Sequence, residues 1–243
     1  MTDSDVSKGR RQFFTRASAI PISIVALNHV PAVARSDNEG GTTDGNAAAA
    51  EAPYTPAYFT DTELAFLEAA CDRLIPSDDL GPGAVEAGVL EFLDRHMQTP
   101  YAAGAIWYMQ GPFIESKPEF GYQGKLALKD IMRVGIAEFD NYCRKHEGNL
   151  FKDLPHDKQE ALLKQAQDGK LEFESLSSKL FFSTLLDETK YGFFADPRHG
   201  GNKNMVGWKL IEYPGMRADY MDWVSVRDKP YPLPPVNLAG ERG

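Results

Sequence analysis

Residues 59–76, FTDTELAFLEAACDRLIP, decide the fold class. Thr60 followed three places later by Glu63 is a capping box, in which side chain and backbone satisfy each other at a helix start. Phe59, just before the cap, is placed to act as a hydrophobic staple. Leu64, Leu67, Cys71 and Leu74 then recur every three to four residues, the period of one apolar helix face. Pro76 closes the helix because it has no amide to donate.

The same period extends outward. After a Gly-Pro turn, Val89, Leu93 and Met97 stay in register and predict a second helix over 84–97. Residues 99–124 read as an aromatic loop with a short helix near 103–109. A third helix over 125–145 turns Leu128, Ile131, Val134, Ile136 and Phe139 inward. Pro155 suits a first helical turn and Gly169 the position after a helix end, which marks the fourth. A fifth helix, 171–191, is apolar on several sides through Phe173, Leu176, Leu180, Phe181 and Leu185, and so is expected to be the most buried. The helical pattern stops after Gly192, and the C-terminal KPYPLPPVNLAGERG is Pro-rich and extended. Strand signals are nearly absent. The expectation is an all-α single domain of about five main helices, with long Gly, Pro and aromatic loops and an extended tail.

The N-terminus reads as a targeting segment. Arg10 and Arg11 are followed by Phe13, then by a weakly apolar stretch, then by Ala32-Val33-Ala34, which suits signal-peptidase cleavage. This resembles a twin-arginine (Tat) export signal, with Gly9 and Thr15 departing from the usual pattern. The domain organisation expected is a signal over 1–34, a flexible linker over 35–57 rich in Gly, Ala, Thr and acidic residues, and a helical domain over 58–243.

The chain has 243 residues and a formal net charge of −9. That balance argues against broad electrostatic steering onto nucleic acid. No apolar run reaches the roughly 20 residues a membrane span needs. Cys71 and Cys143 are the only cysteines, with no CxxC and no CxxCH. In an oxidising compartment they are open to one internal disulfide, to pairing with another chain, or to remaining buried thiols.

Cofactor signatures are missing: there is no GxGxxG after a strand, no P-loop, no HExxH and no GxSxG. His29, His96, His146, His156 and His199 are scattered, without metal-ligand spacing on a helix face. The most unusual run is YGFFADPRHGGNKNMVGWKLIEYPG, residues 191–215. Asp196, Arg198 and His199 there offer an acid, a base and an anion clamp. The alternative is a shaped docking loop: Asp196-Pro197 starts a turn, and Gly200-Gly201-Asn202 tolerates positive φ. Asp187 lies before this cationic loop, where an ion pair with Arg198 is one reading. Asp78 and Asp79 sit in a turn, as capping or solvated carboxylates. Trp107, Tyr108, Trp208, Tyr213, Tyr220 and Trp223 fall in loops, which favours interface anchors over core.

RLIPSDDLGPGAVEAGVLEFLD, GAIWYMQGPF and above all GFFADPRHGGNKNMVGWKLIEYPG resemble the gluconate 2-dehydrogenase subunit 3 family, over about residues 59–235. The resemblance implies a non-catalytic small subunit of a periplasmic dehydrogenase complex. A large, GMC-type subunit would hold FAD, a multi-haem cytochrome c subunit would carry electrons onward, and this chain would hold no cofactor. It also implies an export escort, using the Tat machinery to carry the flavin-loaded partner, with the complex membrane-associated through its other subunits. The residues expected to dock the partner are Phe194, Asp196, Pro197, Arg198, His199, Gly200, Gly201, Asn202, Lys203, Trp208 and Tyr213. The competing expectation is an independent periplasmic enzyme or ligand-binding protein using the loop 196–203. The substrate of the complex is not written in this chain.

Overall fold

A computed structural model describes residues 54–114 and 117–243, and the signal and most of the linker expected from the sequence lie outside them. The described residues form six helices and no strand: α1 Asp61–Leu74, α2 Val89–Met97, α3 Leu128–Glu147, α4 His156–Gln167, α5 Ser178–Phe194 and α6 Val206–Leu210. The all-α expectation holds. None of these helices is long and apolar enough to cross a membrane.

α5 is the hub and packs against each of the other five helices. Gly135 makes its approach to α3 possible, since a Cβ there would stand 2.0 Å from the Phe181 ring. Around that contact Phe66, Phe139, Phe151 and Phe181 interlock, with neighbouring ring centroids 4.9 to 6.1 Å apart. Each such pair adds about 0.5–1.5 kcal/mol beyond the area it buries.

Thr60 and Glu63 form the complete capping box expected of them. Other boundaries shift, each for a tertiary reason. α2 starts at Val89 rather than at 84, because Gly88 takes a left-handed φ of 78°. The chain bends there to meet the later loop: Lys203 donates its amide to the Ala87 carbonyl at 2.9 Å. α5 starts at Ser178 rather than at 171. The Glu138 carboxylate claims the amides of Glu174 and Ser175, at 2.7 and 2.8 Å, so they are not spent on a helix. Ser177 then caps α5 by accepting from the Leu180 amide. The short helix expected near 103–109 is a series of turns, broken at Gly104 with φ 71°.

The extended tail is fastened. Val236 bridges to both Gly215 and Arg242, and Leu238 donates to Asp196 Oδ2 at 2.8 Å. At the other end, Tyr54 to Phe59 are tied to Asp94, so the last residues assigned to the linker belong to the packed body.

Cys71 and Cys143 are free, buried thiols; the internal disulfide is not formed. Cys71 Sγ lies 3.5 Å from the Thr189 hydroxyl. Burial pushes both thiols up to about 12. The folded protein should therefore leave both cysteines unlabelled by a thiol reagent near pH 8, since the thiolate is the reactive form. Full labelling should appear only with denaturant, at the rate of global unfolding. Rapid labelling of either thiol without denaturant would contradict the buried placement.

Candidate functional site

The segment from Ala195 to Gly215 is organised by one residue. Asn202 is wholly buried at a left-handed φ of 47°. Its Nδ2 donates to the Ala195 carbonyl and its Oδ1 accepts from the Gly207 amide, each at 2.8 Å. The loop is thereby pinched across its neck. Gly201 and Gly207 lie on α5 so closely that a Cβ on either would stand 2.2 Å from the carbonyl oxygen of Gly192 or Phe193.

Asp196 is the turn-former expected of it. Its Oδ1 accepts from the Arg198 amide at 3.1 Å and its Oδ2 from Leu238 at 2.8 Å, so backbone donors occupy both oxygens. Pro197 opens a single 3₁₀ turn, Pro197–His199, that ends at Gly200 with φ 95°. A carboxylate spent in this way is not arranged as an acid or base toward His199.

The docking residues named from the sequence divide into two groups. Asp196, Gly200, Gly201, Asn202 and Trp208 are buried and form the frame of the loop. Trp208, expected as a surface anchor, is only 3% exposed and donates Nε1–H to the Phe194 carbonyl at 2.8 Å. Phe194, Arg198, His199 and Tyr213 face solvent, and Pro197 and Lys203 are half-buried. Lys203 Nζ is 2.7 Å from Glu91 Oε2, which fixes the loop to α2. The suggested Asp187–Arg198 pair is not made: Asp187 pairs instead with Lys190, one turn along α5, at 2.7 Å. Proximity on the same helix outcompetes a contact that would have to reach the loop.

Two recesses flank the loop. One, of about 330 Å³, is lined by Ile75, Leu80, Pro82, Phe193, Val206 and Leu210, with Asp78 and Lys209 also on its walls. The other, of about 160 Å³, lies between α2 and the 3₁₀ turn and is lined by Phe92, Arg95, His96, Thr99, Arg198 and His199. Behind it Glu188, buried in α5, meets His96 Nδ1 at 2.7 Å. Tyr101 stacks on His96 at 5.4 Å and Trp107 meets Tyr101 edge-on at 5.0 Å.

That ring chain ends at Trp107, in a segment that carries several exposed apolar side chains. Ile106, Trp107, Tyr108, Phe113, Ile114, Phe120 and Tyr122 are all exposed, Tyr108 to 85%. The interface character expected of Trp107 and Tyr108 is consistent with this exposure. Trp223 and Tyr220 are half-buried and pack edge-on against Tyr231 in the tail. Among the described residues no group of three or more His, Cys, Asp or Glu could hold a metal ion.

Sequence reading missed Asp94 and the His96–Glu188 pair. A signal for both existed. Glu188 falls in register with Phe181, Leu185 and Gly192 on the buried face of α5, and Asp94 sits beside Leu93 in the apolar stripe of α2. A charged residue on such a face needs a partner.

These features define a class first: a helical protein with a rigid glycine-built loop beside an extended, solvent-facing aromatic surface. The sequence model of the family Gluconate 2-dehydrogenase subunit 3 matches residues 61–215, and the chain belongs to that family. Members of the family are subunits of a dehydrogenase complex. A search of curated proteins and a search of solved structures each gave no match.

Proposed function

We propose that this chain is the non-catalytic small subunit of a periplasmic, FAD-dependent dehydrogenase complex, and that it docks on and stabilises the flavin-holding subunit. The observation that carries the reading is the set of exposed large apolar side chains Ile106, Trp107, Tyr108, Phe113, Ile114, Phe120 and Tyr122. Large apolar side chains left exposed together in one segment mark a surface that a partner covers. Aromatic side chains are also the residues that most often anchor interfaces. Family membership supports another subunit of a dehydrogenase complex as the partner.

The proposal extends to export. The twin arginine at Arg10 and Arg11 would send the folded chain, with its docked and flavin-loaded partner, through the Tat machinery. The complex would then sit at the membrane through a multi-haem cytochrome c subunit. Arg10→Lys combined with Arg11→Lys should leave both this chain and the catalytic subunit in the cytoplasmic fraction. Export of the catalytic subunit despite that change would end the escort role. The chain purified alone should show no flavin absorbance and no dye-linked sugar oxidation, and the appearance of either would return the reading to an independent enzyme or ligand-binding protein.

A further inference from the structure

We propose that the recess between α2 and the Pro197–His199 turn is a socket for one carboxylate side chain, an Asp or Glu presented by the catalytic subunit; this rests on the docking role proposed above. Arg198 and His199 are exposed, and neither side chain has a hydrogen-bond or ion-pair partner among the described residues. Both line the recess together with Arg95 and His96. His96 has Nδ1 engaged by Glu188, which leaves Nε2 as the nitrogen without a protein partner.

The nearby carboxylates engage Arg95 and His96 but leave the Arg198 guanidinium unpaired. Glu91 is shared between Arg95, at 2.5 Å, and Lys203, at 2.7 Å. Glu188 lies behind the imidazole, buried in α5. An unpaired guanidinium at the mouth of the recess, on a chain of net charge −9, is a local inversion of sign. Such an inversion suits one anionic group far better than a polyanion, which the rest of the surface repels.

Size and surroundings choose the occupant. Small-molecule sites usually span about 300–1,000 Å³. At about 160 Å³ this recess takes a single head group and not a whole ligand. A guanidinium offers the planar fork that matches a carboxylate. His96, stacked on Tyr101, and Trp107, edge-on to Tyr101, join the recess to the segment of exposed aromatic side chains, so an acid inserted here sits at the border of the apolar contact. Charge at an interface rim chiefly sets orientation and partner choice.

The test is affinity between the full-length chain and the catalytic subunit, measured at low and at high salt. Arg198→Ala with His199→Ala should weaken binding roughly 30-fold and flatten its salt dependence. Arg198→Glu should weaken it further by placing like charge against the acid. Melting temperatures should stay at the wild-type value, because neither side chain supports the fold. Lys179→Ala, removing an exposed cation at the far end of α5, should bind as wild type does. Wild-type affinity in the double variant would overturn the socket while leaving the docking role intact. Equal weakening by Lys179→Ala would also overturn it, in favour of diffuse charge attraction. Failure of the wild-type chain to bind the catalytic subunit would overturn the docking role and the socket with it.

Discussion

Asp94→Ala should lower the stability of the domain by about 4 kcal/mol, read as a fall in melting temperature of roughly 8–16 °C. Asp94 is wholly buried and gathers the N-terminal entry to the domain. Its Oδ1 accepts from the amides of Tyr58 and Phe59 at 3.0 and 2.8 Å. Its Oδ2 accepts from the Tyr54 hydroxyl, the Ala57 amide and Gln98 Nε2, at 2.6, 2.9 and 3.0 Å. Alanine strands all five donors, several of them away from water, and each stranded donor costs about 1–3 kcal/mol. Asp94→Asn should recover only part of the loss. Its oxygen can serve one set of donors, while its amide group faces the other set with hydrogens against hydrogens.

The same site makes an acid-sensitivity prediction. Burial alone would raise the Asp94 carboxyl, but the Ala57 amide, the Tyr54 hydroxyl and the Phe59 and Tyr58 amides outweigh it and hold the group below the usual carboxylate range. The folded state therefore binds this proton less readily than the unfolded chain. Its contribution is complete above the unfolded value of about 4, and it is lost as pH falls from there through the lowered folded value. Melting temperature against pH should drop more steeply below about pH 4 in the wild type than in Asp94→Ala. Parallel curves would show that Asp94 is not the group responsible. The Tyr54 phenol moves the opposite way, to about 12, through burial and its bond to the Asp94 carboxylate.

Asn202→Ala should cost about 3 kcal/mol, or roughly 6–12 °C in melting temperature. The variant loses both bonds across the neck of the loop and leaves the Gly207 amide buried without an acceptor. It also places a Cβ-bearing residue without local hydrogen bonds at positive φ. Asn202→Gly removes the backbone strain but not the lost bonds. It should therefore melt slightly above Asn202→Ala and well below the wild type. Equal stability of wild type and glycine variant would mean that the left-handed backbone alone, and not the clamp, shapes the loop.

The helices were legible where their causes are local. Thr60 and Glu63 lie three residues apart, and the Leu67–Cys71 and Leu93–Met97 spacings carry the helical period whatever the rest of the chain does. The helix starts expected at 84 and 171 shift because remote groups engage the backbone there. Glu138 holds the amides of Glu174 and Ser175, and the Gly88 corner is bent to receive the loop at Lys203. The glycines and Asn202 were legible as positions of special backbone shape, yet their part in framing the loop was not, because the surfaces they fit belong to α5. Trp208 was assigned outward for lack of helical period around it. It is buried because the Phe194 carbonyl, fourteen positions earlier in the chain, gives its indole N–H a partner inside.

The helical class, the places where the first and third helices run, the turn at Asp196-Pro197 and the family are all legible along the chain alone. Capping, period and turn chemistry act within a few residues, so they can be read along the chain. Long-range packing sets which side chains of the loop face water, brings Arg198 and His199 to Arg95 and His96 around one recess, and has Asp94 close the N-terminal entry. Those outcomes depend on hydrogen bonds and close approaches between segments about 35 to 120 positions apart. Burial and pairing at that range are settled by packing, which spacing along the chain does not encode.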